Sequence, residues 1–170
     1  MTTKTAHIRS ATVDDIPAIL EIYNHAILNT TSVYSELPHT YEMRLAWYNE
    51  RINSGFPVLV AVAAGQVVGF GTFGHFRVWP CYRYTVEHSI YVHVDHRGKG
   101  ISKLLLQHLI DRAQEMKFHV MVAGIDAENV VSYKLHESFG FKEVAHFKEV
   151  GFKFNRWLDL KFMQLILLPV

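Results

Sequence analysis

Eight consecutive residues, His96, Arg97, Gly98, Lys99, Gly100, Ile101, Ser102 and Lys103, carry the strongest chemical signal in the chain. They fall between a β-branched run and an apolar stripe of helical spacing, so the expected order is strand, tight turn, helix. Glycines let the backbone turn sharply and approach a ligand, and the first amides of a helix lack intrahelical acceptors and sit at the positive end of its dipole. An anion fits there, with Arg97, Lys99 and Lys103 adding charge. The same residues also read as a basic turn that caps a helix. Two phosphate motifs are excluded. A Walker loop needs Gly-Lys-Ser/Thr where the chain has Gly98-Lys99-Gly100, and the dinucleotide fingerprint needs glycine at Lys103.

The second signal is Glu87, in the middle of a strand read over Thr85 to Val94. Strand alternation puts it on a face with Thr85, Ser89, Tyr91 and His93, opposite the more apolar set Val86, His88, Ile90, Val92 and Val94. A carboxylate there is costly unless it pairs with a nearby Arg or His or lines a cleft as a base. Arg77 and Arg83 flank the segment leading into that strand. Their forked donors suit oxyanions, and either also reads as a solvent-facing arginine. The 11 histidines raise the question of a metal, but His93 and His96 straddle a strand end without a His-Glu-x-x-His helix pattern, so no metal is expected. Cys81 is the single cysteine, which rules out an internal disulfide and reads as a free thiol.

The elements that must hold these residues follow from periodicity. Ala6 to Ser10 reads as a strand, and Thr12 with Asp15 as a capping box opening a helix along Ile16, Ile19, Leu20, Tyr23 and Ile27. A loop, 29–40, precedes a second helix from Tyr41 to near Gly55. Val58 to Ala63 and Val67 to Phe73 form a hairpin about Gly65-Gln66. After the Glu87 strand come a helix from Ile101 to Met116, a doubly buried strand from Val120 to Ile125, and a helix from Asn129 to Phe139 stopped by Gly140. Strands at about Lys142 to Gly151 and Trp157 to Leu168 close the chain. The order β-α-α-β-β-β-α-β-α-β-β defines an α/β domain with a mixed, mostly antiparallel sheet.

Composition agrees with one domain over 1–170: 170 residues and 49% hydrophobic content fill one core. Net charge +1 points away from nucleic-acid or membrane partners and toward a small molecule. No signal peptide or spanning segment is read, so a cytoplasmic location is expected.

The loop resembles the pyrophosphate loop of the GNAT acetyltransferase superfamily, Gln/Arg-x-x-Gly-x-Gly/Ala, with Arg97, Gly100 and Ser102 in its positions; Ser102 departs from the usual glycine or alanine. Asn129, Ser132, Leu135, Glu137, Gly140 and Phe141 are similar to a second superfamily segment. At the position where many members carry a tyrosine, this chain has His136, which otherwise reads as a surface or core histidine. With the segments Tyr84 to Val92 and Gly151 to Trp157, the chain resembles the phosphinothricin and methionine sulfoximine N-acetyltransferase subfamily from about Ile8 to Leu167.

That resemblance implies the GNAT fold and acetyl-CoA as co-substrate, bound by Arg97, Gly98, Lys99, Gly100, Ile101, Ser102 and Lys103, by the backbone of Ile90, Tyr91 and Val92, and by Asn129 and Ser138. It implies Glu87 and His136 as the catalytic pair. It implies acceptor contacts from Tyr34, Arg77, Trp79, Arg83, Glu87 and His88, and a homodimer, with Trp157 to Leu168 either an inner strand or part of the dimer surface. An α-amine, with a pKa of about 8, is largely protonated at neutral pH and needs a base before it can attack a thioester. The expected function is therefore acetylation of a small amino-acid-like amine by direct transfer. Acetylation of a peptide N-terminus, which would need an open groove, and a non-catalytic acetyl-CoA sensor are the alternatives.

Overall fold

The computed structural model describes residues 6–167. Four α-helices, α1 (Ile16–Asn29), α2 (Tyr41–Asn53), α3 (Ile101–Glu115) and α4 (Val130–Ser138), flank a sheet of seven strands. The strands are β1 (His7–Ser10), β2 (Val58–Ala63), β3 (Gln66–His75), β4 (Thr85–Val92), β5 (Val120–Asp126), β6 (Lys142–Lys153) and β7 (Arg156–Ile166). Their spatial order is β1-β2-β3-β4-β5-β7-β6. Every pairing is antiparallel except that of β4 with β5.

Both faces of the central strands are covered, which is why β2 reads as an unbroken apolar run. Its Leu59 and Ala61 pack with Leu105, Leu106, Leu109 and Ala113 of α3, together with Phe73, Val86 and Met121. Its Val58, Val60 and Val62 pack on Ile16, Ile19 and Ile22 of α1 and Tyr48 of α2. The helix starts are set by local chemistry. The Thr12 amide donates to Asp15 Oδ2 at 2.8 Å before α1, and Arg9 pairs with the same carboxylate at 2.7 Å. Asn129 Oδ1 accepts from the Ser132 amide at 3.0 Å to cap α4.

Element order and type follow the sequence reading, with shifts at the ends. β4 stops at Val92 rather than Val94, because Val94–His96 turns into a 3-10 segment whose Asp95 amide donates to His93 Nδ1 at 3.3 Å. β3 runs two residues beyond Phe73, to His75, and β6 runs to Lys153. β7 is an inner strand between β5 and β6; Leu168, the last residue of that expected strand, lies outside the described residues.

Two features of this sheet shape the site. β4 pairs with β5 only over Thr85, Val86 and Glu87, against Val120, Met121 and Val122; beyond them the two strands part and the β4 edge is unpaired. The β6–β7 hairpin also fastens the loop after α1. Lys153 is 2% exposed, and its ammonium donates to the carbonyls of Ile27, Thr30 and Val33 at 2.5, 2.7 and 2.7 Å. The Tyr34 hydroxyl bonds Asp126 Oδ2 at 3.1 Å and the Asp159 carbonyl at 3.0 Å. The Tyr34 ring lies so close to Gly151 that a Cβ there would come within 2.6 Å of it.

Candidate active site

A cleft of about 260 Å³ opens where β4 leaves β5, on the α1 and α2 face. Glu87, Ser89 and Tyr91 of β4 line it, with Ser32, Arg51 and Gly124. The Glu87 side chain is accommodated by a missing one: a Cβ on Gly124 would lie 3.2 Å from Glu87 Oε1. Burial pushes the Glu87 carboxyl above the ordinary carboxylate range, and the positive charges of Arg77 and Arg51 oppose that rise without cancelling it. Among the described residues no ion pair holds Glu87. A half-buried carboxylate with a raised pKa and no fixed partner is equipped to accept a proton from a ligand.

The neighbouring residue faces the other way. His88 borders the cleft, but its ring lies on the α3 and α4 side, where it stacks on His136 at 5.0 Å between centroids and meets Phe141 edge-on. The two imidazoles join through their Nε2 atoms at 3.0 Å, and His136 Nδ1 lies 2.6 Å from the Ser132 carbonyl. That carbonyl accepts only, so His136 carries its proton on Nδ1 and its Nε2 accepts from His88 Nε2–H. His88 Nδ1 is then an unprotonated acceptor, and it is buried without a partner. Desolvation lowers both pKa values, His88 well below the ordinary range, and His136 adds to the effect on His88. Thus Glu87 and His136 stand on opposite faces of β4. The structure brings His136 to His88, and no hydrogen bond joins it to Glu87.

On the far side of the strand gap lies the glycine turn. Gly98 and Gly100 have φ of +73° and +78°, and nothing lies within 4 Å of a Cβ built on either. The backbone conformation, not crowding, therefore calls for glycine at both positions. Gly100 is the N-cap of α3, so the amides that follow it point outward. Arg97 Nε rests 3.4 Å from the Val92 carbonyl and Lys99 Nζ 2.8 Å from the Asp95 carbonyl. Together with the bare edge of β4 at Ile90 to Val92, this surface fits a diphosphate at one end and an extended amide-bearing chain along the other.

The remaining expected residues are more scattered. Arg77 acts on Glu87 from an exposed position, its guanidinium 4.7 Å from the Phe76 ring. Arg83 turns to the Tyr84 ring and the Pro80 carbonyl, and Trp79 is 63% exposed. Tyr34 is tied to the β5–β7 side of the loop. Asn129 serves as a helix cap, and the exposed Ser138 donates to the Leu135 carbonyl at 2.6 Å. Arg51, Ser32 and Gly124 were not singled out by the sequence. A lone glycine between Ala123 and Ile125 in an apolar strand was the available signal for Gly124; Arg51 had none beyond its charge. Among the described residues no group of three or more His, Cys, Asp or Glu side chains gathers around a metal-sized space.

A half-buried carboxylate at a strand gap, backed by a glycine turn at a helix start, is the geometry of an acyl-transfer site built on a nucleotide-like donor. The chain belongs to the acetyltransferase (GNAT) family, whose sequence profile matches residues 19–141. It is 50% identical over 158 residues to the L-methionine sulfoximine/L-methionine sulfone acetyltransferase of Salmonella typhimurium, covering 93% of this chain and 92% of the relative. It is 35% identical over 158 residues to a phosphinothricin N-acetyltransferase of Alcaligenes faecalis, covering 92% and 80%. A Salmonella typhimurium acetyltransferase solved with its cofactor acetyl-CoA superposes with a TM-score of 0.95 at 48% identity, over 97% of this chain and 95% of that one.

Proposed function

We propose that this chain acetylates the α-amine of a small amino-acid analogue of the methionine sulfoximine, methionine sulfone or phosphinothricin type, by direct transfer from acetyl-CoA. The observation that carries the reading is Glu87: a carboxylate of raised pKa, without a fixed partner, in a bounded cleft at the strand gap. The named activities of the relatives support it.

Bound acetyl-CoA supplies the activated acetyl group as a thioester. The amides from Gly98 to Lys103, with Arg97 and Lys103, hold its diphosphate at the α3 N-terminus. The free β4 edge at Ile90 to Val92 bonds the pantetheine arm and directs amide hydrogens at the carbonyl as charge develops there. Glu87, directly or through one water, takes the amine proton, and Arg77 faces the tetrahedral oxygens of the acceptor. The proton that Glu87 takes from the amine balances the one the departing thiolate needs, and His136, hydrogen-bonded to His88 on the opposite face of β4, has the supporting role in that transfer. Cys81 is exposed on a separate turn and takes no part.

The reading includes a cytoplasmic homodimer. β6 is an edge strand that exposes Phe147, Val150 and Phe152, and the exposed Trp157 ring lies 5.0 Å from that of Phe152. Such an edge invites cover by a second copy.

The test is a panel of acceptors with acetyl-CoA and a free-thiol readout. Methionine sulfone, methionine sulfoximine and phosphinothricin should each exceed a peptide N-terminus in kcat/KM. Faster turnover of the peptide overturns the assignment.

A further inference from the structure

Among the described residues, Arg51 is a cation lining the cleft that has no hydrogen-bond or ion-pair partner. Arg51 leaves the last turn of α2 and crosses β3 at Gly74, where a Cβ would fall within 2.6 Å of its Cζ and closer still to Nη1. The guanidinium therefore occupies the space in which any other residue at 74 would place its side chain. Gly74 is the register partner of Glu87 on the adjacent strand, so the guanidinium and the carboxylate stand on the same face of the sheet and both line the cleft. Yet the Arg51 side chain makes no hydrogen bond or ion pair among the described residues, and its Nε is buried and unpartnered.

A forked donor with a desolvated Nε and no acceptor is a poor structural element and a good receptor for a planar anion. Arg77 also faces Glu87 but from an exposed position, where water satisfies it. We infer that Arg51 is the specificity residue that receives the acceptor's α-carboxylate, an inference that rests on the proposed acceptor class. The geometry gives this a catalytic use. Neighbouring strands lie about 4.8 Å apart, and an α-amine sits on the same carbon as the α-carboxylate. A carboxylate held above Gly74 therefore brings its amine over β4, within reach of Glu87.

The experiment compares L-methionine sulfone with 3-(methylsulfonyl)propylamine, the same compound without its carboxylate. Wild-type enzyme should favour the amino acid. Arg51→Gln should raise KM for methionine sulfone ~10- to 100-fold, as expected for a lost charge-assisted bidentate contact, with a several-fold smaller effect on the amine and on acetyl-CoA. Arg51→Lys should fall between them and guards against a folding defect in the glutamine variant. Equal losses on both acceptors, or a wild-type enzyme indifferent to the carboxylate, overturn the role of Arg51 while leaving the acceptor class intact. Turnover of a peptide amine with neither sulfone accepted removes the acceptor class and this inference together.

Discussion

Glu87 gains its proton affinity from burial and has it restrained by two arginines, so its protonation state is a balance that single substitutions can tip. Glu87→Gln keeps the shape and removes the basicity; kcat should fall ~10²–10⁴-fold with acetyl-CoA KM nearly unchanged and the melting temperature held. Full activity in a well-folded Glu87→Gln enzyme would eliminate the residue as base. Gly124→Ala is the subtler companion, because its Cβ would sit 3.2 Å from Oε1 and must displace the carboxylate by a few tenths of an ångström. A loss of roughly 3- to 10-fold in kcat is expected, since small misplacements at a reacting group are expensive. At this scale the sequence was legible where periodicity speaks. Alternation along β4 separated Glu87 from His88 correctly, but what lies above each face depended on other elements. The His88–His136 contact spans two elements far apart in the chain, and Arg51 matters only because Gly74 leaves it room.

Elements decide whether a residue such as Gly100 acts by shape or by space. Its φ of +78° and the empty surroundings of its virtual Cβ say conformation. Gly100→Val would force a β-branched residue into the left-handed region at a cost of about 1–2 kcal/mol, relieved by turning the α3 amides out of line. The expected result is an acetyl-CoA KM at least ~10-fold higher with acceptor KM little changed; unchanged acetyl-CoA affinity in the folded variant would remove the turn from the donor site. Helix and strand order was readable because each apolar stripe has a clear period and the turns carry glycine or capping residues. The end shifts arose where hydrogen bonding overrode pattern: the sequence continues apolar through Val94, but the His93 imidazole captures the Asp95 amide and ends β4 early.

For the molecule as a whole, the buried imidazole pair ties stability to acidity. Both histidines have folded-state pKa values below the unfolded value of about 6.5, so the unfolded chain binds more protons as the medium acidifies. Their contribution is complete above that value and is lost as pH falls toward the folded pKa values. The melting temperature should therefore drop between pH 7.5 and 5.5. The double variant His88→Leu/His136→Phe, which removes both partners, should flatten that slope; an unaltered slope would show that other groups set it.

The parting of β4 from β5 bears on how such an enzyme changes over generations. A strand meets its neighbours edge-on through the main chain and presents its side chains above and below. In the proposed function the grip on the donor lies in the first direction and the choice of acceptor in the second. Substitutions among Ser89, Tyr91 and their neighbours can thus redraw the acceptor pocket while the donor's hydrogen bonds, made to a backbone that every residue but proline supplies in full, persist unaltered. New acceptor preferences are open to drift on this scaffold without an intermediate that has lost its acetyl donor.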